Sequence, residues 1–318
     1  MVSIIPAGEL AYGIQLPVQS QSTLYAEEWE AKAGANELAT LARAADDAGF
    51  LYVAVCDHVA IPRPLAKAMG TTWYDTWTTL GFLAGVTTRT RLLSHVAVLP
   101  YRHPLMTAKA VATLDTLSDG RAILGVGAGH AADEFAALGL DFSARGAVLD
   151  EAIDAVKAAL VDEFPEHVGD TWSFKEMGVA PRPVQQPRPP VWVGGSAPPS
   201  LRRAAEKGDG WLPQGTPRAQ MPDQIATIRA IREKAGIPNP IEIGVVTEIL
   251  YVGEPSWDVG ERTVSGPAEQ VAERLREFGA MGVSHLQVRF RSRDVSESAD
   301  QITRFGAEVA PLLKGARP

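Results

Sequence analysis

Two histidines, an aspartate and two glycine-rich turns are the residues of this chain whose types and spacing suit chemistry. Asp57-His58 follows directly on the apolar run Leu51 to Val55. A strand-end imidazole beside a carboxylate suits general acid/base work, because free imidazole titrates near neutrality. The pair would equally serve as one corner of a metal site or as a hydrogen-bonded structural group. No H-x-H, H-E-x-x-H or carboxylate cluster accompanies it, so no metal is expected. His130 closes a second candidate, the turn Gly125-Val126-Gly127-Ala128-Gly129-His130. Missing side chains let a flat ring or a phosphate approach the backbone, or let barrel elements pack tightly. The dinucleotide fingerprint G-x-G-x-x-G fails here, since His130 stands where its third small residue belongs. A third candidate, Gly194-Gly195-Ser196, precedes a helix expected from Pro199. Backbone N–H groups and a hydroxyl at a helix N-terminus suit an anion, although such turns also occur without one. Finally, Arg289, Arg291 and Arg293 alternate at the end of a strand, either projecting one way toward an anionic ligand or forming a solvated charge run.

The elements that must position these residues repeat a strand-then-helix rhythm. Strands are expected at Ala11 to Leu16, Leu51 to Val55, Arg91 to Val98, Ala122 to Gly127, Val191 to Val193, Trp211-Leu212, Ile241 to Val252 and His285 to Phe290. Helices are expected at about Glu37 to Ala48, Asp75 to Val86, Pro104 to Leu117, Ala147 to Val161, Pro199 to Lys207, Met221 to Ala235, Pro267 to Phe278 and Ser298 to Leu313. The clearest unit is Arg91 to Gly127. Its two strands are apolar runs, as for parallel strands buried on both faces, and Val111, Leu114 and Leu117 form a helical stripe between them. Pro104 stands in the first turn of that helix, where its missing N–H is harmless. Gly49 ends the helix expected at about Glu37 to Ala48, as a C′ glycine should. Trp172-Ser173-Phe174 suggests a short hairpin laid over the barrel, and prolines 181, 183, 187, 189 and 190 suggest an extended connector. Eight strands alternating with eight helices make an α/β chain with the TIM (β/α)8 architecture, as one domain over 1–318 with an insertion at about 162–190; an open doubly wound sheet is the alternative. In a barrel the chemistry belongs at the C-terminal strand ends, where Asp57, His58, the 125–130 turn and the 194–196 turn all fall.

Composition excludes several classes. With 318 residues and 46% hydrophobic content the chain can fill one large core. A net charge of −8 and a pI near 5.4 argue against nucleic-acid or anionic-membrane partners. The single cysteine, Cys56, rules out a disulfide framework and points to a reducing compartment. The absence of a basic n-region, of a long apolar h-region and of any long uncharged apolar run gives the expectation of a cytoplasmic protein.

The motifs CDH after the second strand, LPYRHPLMTAKAVATLDTLSDGR, LGVGAGHAADEFAALGL, ARG-x-x-LDEAI, PRPVQQPRPPVWVGG and GDGWLP occur in this order between about Tyr12 and Pro213. As a set they resemble the bacterial luciferase-like monooxygenase superfamily, and within it the deazaflavin branch that uses coenzyme F-420. The resemblance implies a TIM barrel with insertion segments, usually a homodimer, holding a flat flavin or deazaflavin at the strand ends. It further implies a bulge with a non-prolyl cis peptide after strand three, matched here by His95-Val96, pressed against the ring. Asp57 and His58 match the strand-two pair beside the deazaflavin, with the histidine as proton-handling group. The two glycine turns add Gly127, Gly129, Gly194, Gly195 and Ser196 as expected cofactor contacts, on the ground of close backbone approach and helix-terminal N–H groups. Some sugar-phosphate-oxidising relatives carry a glutamate directly after the glycine crest; His130 stands there in this chain, which argues against that substrate.

The resulting expectation is an oxidoreductase that transfers hydride between coenzyme F-420 and a small organic substrate, with His58 and His130 as catalytic groups. Trp29, Trp73, Tyr74 and Trp77 would form an apolar wall. The alternatives are a monooxygenase using reduced FMN and oxygen, and a non-catalytic cofactor-binding protein. Arg289, Arg291 and Arg293, with Arg102 and His103, are the cations expected to meet the acidic tail of F-420.

Overall fold

The computed structural model describes residues 3–20, 22 and 25–316. In chain order its strands are β1 (Ala11–Gln15), β2 (Tyr52–Val55), β3 (Arg91–Ser94), β4 (Ala97–Val98), β5 (Ala122–Gly127), β6 (His167–Val168), β7 (Ser173–Phe174), β8 (Val191–Gly194), β9 (Gly210–Leu212), β10 (Glu242–Val252), β11 (Thr263–Gly266) and β12 (His285–Phe290). Its α-helices are α1 (Ala35–Asp47), α2 (Ala66–Met69), α3 (Thr76–Val86), α4 (Pro104–Leu117), α5 (Ala132–Ala137), α6 (Arg145–Val161), α7 (Pro198–Lys207), α8 (Met221–Lys234), α9 (Ala268–Ala280) and α10 (Val295–Arg304).

The sheet runs β10-β12-β1-β2-β3-β5-β8-β9, and β9 pairs back onto β10, so eight parallel staves close a TIM barrel. The open-sheet alternative is thereby excluded. Closure explains the apolar runs. Every residue of β2 and β5 is buried, one set facing the barrel axis and the other the helices. On α1 the buried face is Leu38, Leu41, Ala42 and Ala45, spaced by three and four. Each such leucine contributes about 1.5–3 kcal/mol by leaving water. Trp192 stacks on His285 inside the barrel at 4.4 Å, and Tyr52 meets both edge-on.

The N-terminal face is tied by carboxylates, of which Asp46 and Asp115 are buried. Asp46 accepts the N–H groups of Thr88, Arg89 and Thr90, fixing the turn into β3. Asp115 accepts from the Ala122 N–H and from the backbone and side chain of Gln185, which pins the proline connector beneath β5. Asp209 pairs with Arg188 at 2.7 Å. These contacts lie opposite the catalytic end and hold the scaffold.

Two expectations need correction, and the expected hairpin is found. The strand expected from Arg91 to Val98 is broken, because the His95–Val96 peptide is cis and the chain bulges between β3 and β4. The last helix starts at Val295 rather than Ser298, capped by Asp294 accepting the Glu297 N–H, and after Arg304 it changes to a π turn and then a 3-10 turn. The short hairpin pairs His167–Val168 with Ser173–Phe174. It is anchored to α6 through Glu151, which accepts the Thr171 and Trp172 N–H groups, and to the start of α4 through His103, whose ring meets Trp172 and Phe174. No helix among the described residues is long and apolar enough to cross a membrane.

Candidate active site

β2 ends in Cys56-Asp57-His58, and the two ionisable groups have separate tasks. Asp57 is buried; Oδ2 accepts the Val98 N–H at 2.8 Å and Arg102 Nη1 at 2.6 Å, while Oδ1 accepts Arg102 Nη2 at 2.7 Å. A carboxylate filled by a bidentate guanidinium and a backbone donor is a clamp on the segment after the bulge. The reading of Asp57 as a free acid/base gives way to that role. Arg102, expected among the cations at the mouth, is spent on the clamp.

His58 turns the other way. Its Nδ1 lies 3.0 Å from Oε2 of Glu134, and its ring meets Trp73 edge-on at 4.5 Å and His130 at 5.3 Å. Glu134, on the short helix α5, is fully buried and also accepts the Val59 and Ala60 N–H groups and the Tyr101 hydroxyl at 2.6, 3.1 and 2.9 Å. Burial alone would raise its pKa, but the bonds from His58, Ala60 and Val59 outweigh that and hold the carboxyl at about 2. An ionised carboxylate only accepts, so His58 carries its proton on Nδ1 and leaves Nε2 without a partner among the described residues. Tyr101 is pushed well above its usual pKa, by burial first and then by Glu134, and stays a donor. His130 is lowered by the burial of its ring and by the His58 charge, which favours its neutral form. Both expected histidines are thus brought together. Glu134 and Tyr101 were missed by sequence reasoning.

The glycine turns surround the bulge. A Cβ on Gly127 would lie 2.5 Å from Val96 Cγ2, and one on Gly194 would lie 2.8 Å from Val96 Cγ1. At both positions a Cβ would meet the Val96 side chain, so close packing, one of the two readings of these glycines, is found there. Gly129 is left-handed, with φ +79°, and a Cβ there would meet Phe135 and Val98. His95, the other half of the bulge, is buried with Nδ1 unpartnered. Burial, with the Arg289 charge, pushes its pKa down to about 4, so the imidazole is neutral near pH 7.

At the second turn the Ser196 hydroxyl donates to the Gln214 carbonyl at 3.1 Å and accepts the Gln214 N–H at 2.9 Å and the Thr216 hydroxyl at 2.6 Å. The Gly195 N–H already bonds the Leu212 carbonyl. α7 begins at Pro198, one residue earlier than expected, so its first two residues are prolines with no N–H to offer. The helix N-terminus is therefore a poorer anion site than the sequence implied.

The three arginines at the end of β12 do not act together. Arg291 bonds Glu27 at 3.0 Å and Arg293 bonds Glu297 at 3.0 Å, whereas the Arg289 guanidinium lies 3.8 Å over the Tyr25 ring. Trp29 is held by Ser292, and Trp73 by the Met69 carbonyl. Among the described residues no three metal-ligating side chains gather.

An unpartnered buried imidazole on a bulge seated between glycines, with a histidine–carboxylate pair beside it, fits a flat ring cofactor that needs one adjacent proton-handling group. Residues 10–259 match the model of the family described as luciferase-like monooxygenase. An uncharacterized protein of Mycobacterium tuberculosis is 31% identical over 219 residues, covering 65% of this chain and 75% of that protein. Monooxygenase RslO1 from Streptomyces bottropensis superposes with a TM-score of 0.80 at 22% identity, over 95% of this chain and 99% of that one. Coenzyme F-420-dependent tetrahydromethanopterin reductase from Methanopyrus kandleri gives 0.75 at 21% identity, over 95% and 99%. At these identities the two structures bear on the fold alone.

Proposed function

The chain belongs to the luciferase-like monooxygenase family, and from that premise we propose that it is a coenzyme F-420-dependent oxidoreductase, transferring hydride to or from a small organic substrate at the C-terminal mouth of the barrel. The observation that carries this reading is the His58–Glu134 pair at 3.0 Å beside the His95–Val96 bulge. Reduction of a carbonyl, or its reverse, moves one proton along with each hydride, and a histidine fixed by a buried carboxylate suits that task.

When bound, a deazaflavin supplies a ring carbon that gives or takes hydride. The residues that would hold it are His95 and Val96 of the bulge, with Gly127 and Gly194 packed against the Val96 side chain. Glu134 orients the His58 ring, so that Nε2 takes or gives the substrate proton. His130, edge-on to His58, is the second group able to relay that proton. Trp73 covers the His58 ring and keeps water from it. The same reading takes the protein as a cytoplasmic homodimer.

The test is a titration of the purified protein with F-420 and, separately, with FMN, followed by visible absorbance during incubation with a panel of alcohols, ketones and activated alkenes. Binding of F-420 with substrate-dependent change of its absorbance is expected. Binding of FMN alone, with oxygen uptake once the flavin is reduced, would replace this reading by the monooxygenase one.

A further inference from the structure

Arg289 is the cation at the barrel mouth that the fold leaves without a counter-ion. Its two neighbours in the alternating run are neutralised, Arg291 by Glu27 and Arg293 by Glu297. No carboxylate among the described residues lies within ion-pair reach of Arg289. The nearest acidic side chains in its wall are committed elsewhere: Glu27 to Arg291, and Glu30 to the Val18 and Glu27 N–H groups. Arg289 shares a face of β12 with Gln287, two residues back, and Gln287 points into the barrel, where it bonds Gln15. Gln15 in turn bonds Cys56. Burial lowers the Arg289 pKa, and its charge is felt by both Cys56 and His95. Two buried polar atoms in the same region, His95 Nδ1 and Gln287 Oε1, have no partner. A cavity of ≈ 40 Å³ opens beside the guanidinium, lined by Gln15, Tyr25 and Ser292 and also by Glu27 and Glu30, whose carboxylates are the ones already bonded to Arg291 and to backbone N–H groups.

Arg289 is only partly buried, and a partly buried guanidinium without an anion is an arrangement that a ligand anion relieves. Its planar fork matches a carboxylate in two parallel hydrogen bonds, and the Tyr25 ring fixes the plane of that fork. We propose that Arg289 anchors the carboxylate of the substrate, so that the molecules turned over at this mouth are small organic acids. The inference rests on the mouth being the reaction site, but it does not depend on which cofactor works there. The charge sits on the inner wall of the barrel, whereas a recognition site for an extended acidic tail would lie on its rim.

The test uses benzoate as probe and benzamide as its uncharged counterpart, titrated calorimetrically into the cofactor-free protein at low ionic strength. Benzoate should bind about tenfold or more tightly than benzamide, the margin of a charge-assisted pair. Arg289→Met should remove that margin, Arg289→Lys should keep part of it, and Arg291→Met should leave it unchanged. The Lys variant keeps the test readable if the Met variant fails to fold. Equal affinity for the two probes, or benzoate binding indifferent to both Arg289 variants, would overturn the proposal. A further overturning result is displacement of benzoate by F-420 or FMN together with a matching loss of cofactor affinity in Arg289→Met, because the anion read would then be the cofactor's phosphate. Since the probe is measured without cofactor, failure of the cofactor assignment and failure of this proposal remain separate results.

Discussion

His58 and Glu134, 76 positions apart in sequence, meet at 3.0 Å, and that carboxylate also receives the N–H groups of the two residues following the histidine. One buried acid thus fixes both the ring and the backbone that carries it. Glu134→Gln presents an amide donor where His58 Nδ1–H and the Tyr101 hydroxyl need an acceptor. Turnover should fall by about 10²-fold, with cofactor affinity unchanged, so that kcat carries the loss. Tyr101→Phe removes one donor and should cost only about 1 kcal/mol of stability. A Glu134→Gln enzyme with full kcat would remove the pair from the mechanism.

His58→Ala tests the proton-handling role itself. Hydride transfer under single-turnover conditions should slow by about 10²-fold or more while the cofactor dissociation constant holds. Full activity would leave His58 as a structural group against Trp73.

The Asp57–Arg102 clamp predicts a stability loss. Arg102→Met leaves a buried carboxylate with one backbone donor in place of three, and breaking such a pair costs about 3–5 kcal/mol. Urea unfolding at neutral pH measures it; a loss below about 1 kcal/mol would mean that water enters and solvates Asp57.

Gly127 and Val96 should show strong coupling. The Cβ of Gly127→Ala would stand 2.5 Å from Val96 Cγ2, an overpacking cost of about 1–3 kcal/mol. Val96→Ala in the same chain removes the obstructing methyls and should restore most of that loss. Additive effects in the double-mutant cycle would show that the glycine is required for something other than Val96.

His95 gives the fold a pH dependence of definite sign. Its folded pKa, about 4, lies below the ordinary histidine value, so the fold favours the neutral ring. The corresponding stability is complete above the unfolded value, near 6.5, and is lost as pH falls toward 4, by on the order of 3 kcal/mol. Relative to His95→Gln, which does not titrate, the wild type should therefore lose stability between neutral pH and pH 4. A wild-type-minus-variant difference that stays constant over that interval would sink the assignment.

The barrel was legible because parallel staves buried on both faces must be apolar runs, and β2 and β5 are such runs. The meeting of His58 with His130 was legible once both were placed at strand ends. Glu134 was not, because four residues separate it from the glycine crest and its meaning comes from Val59 and Ala60, which are remote in sequence. The available signal was a carboxylate sitting between Ala131 and Phe135 on a helix face that is otherwise buried. The Arg102–Asp57 pair was hidden for the same reason: charge alone placed Arg102 at the rim, and only the chain's turn after the bulge brings it onto Asp57. The glycines signalled close approach without saying what approaches, and at Gly127 and Gly194 it is the Val96 side chain.

The residues gathered at the mouth, Asp57, His58, His95 and Glu134, all lie in the first half of the chain, yet the ring that holds them is closed by β12, which pairs with β1 on one side and β10 on the other. Until that strand is made, the nascent sheet has two open edges, Ala11–Gln15 and Glu242–Val252, with unpaired backbone groups along apolar strands. A ribosome that stops short of His285 releases an aggregation template with its chemistry already encoded but not yet enclosed. The last tenth of the sequence carries most of the strand that turns an open sheet into a closed ring.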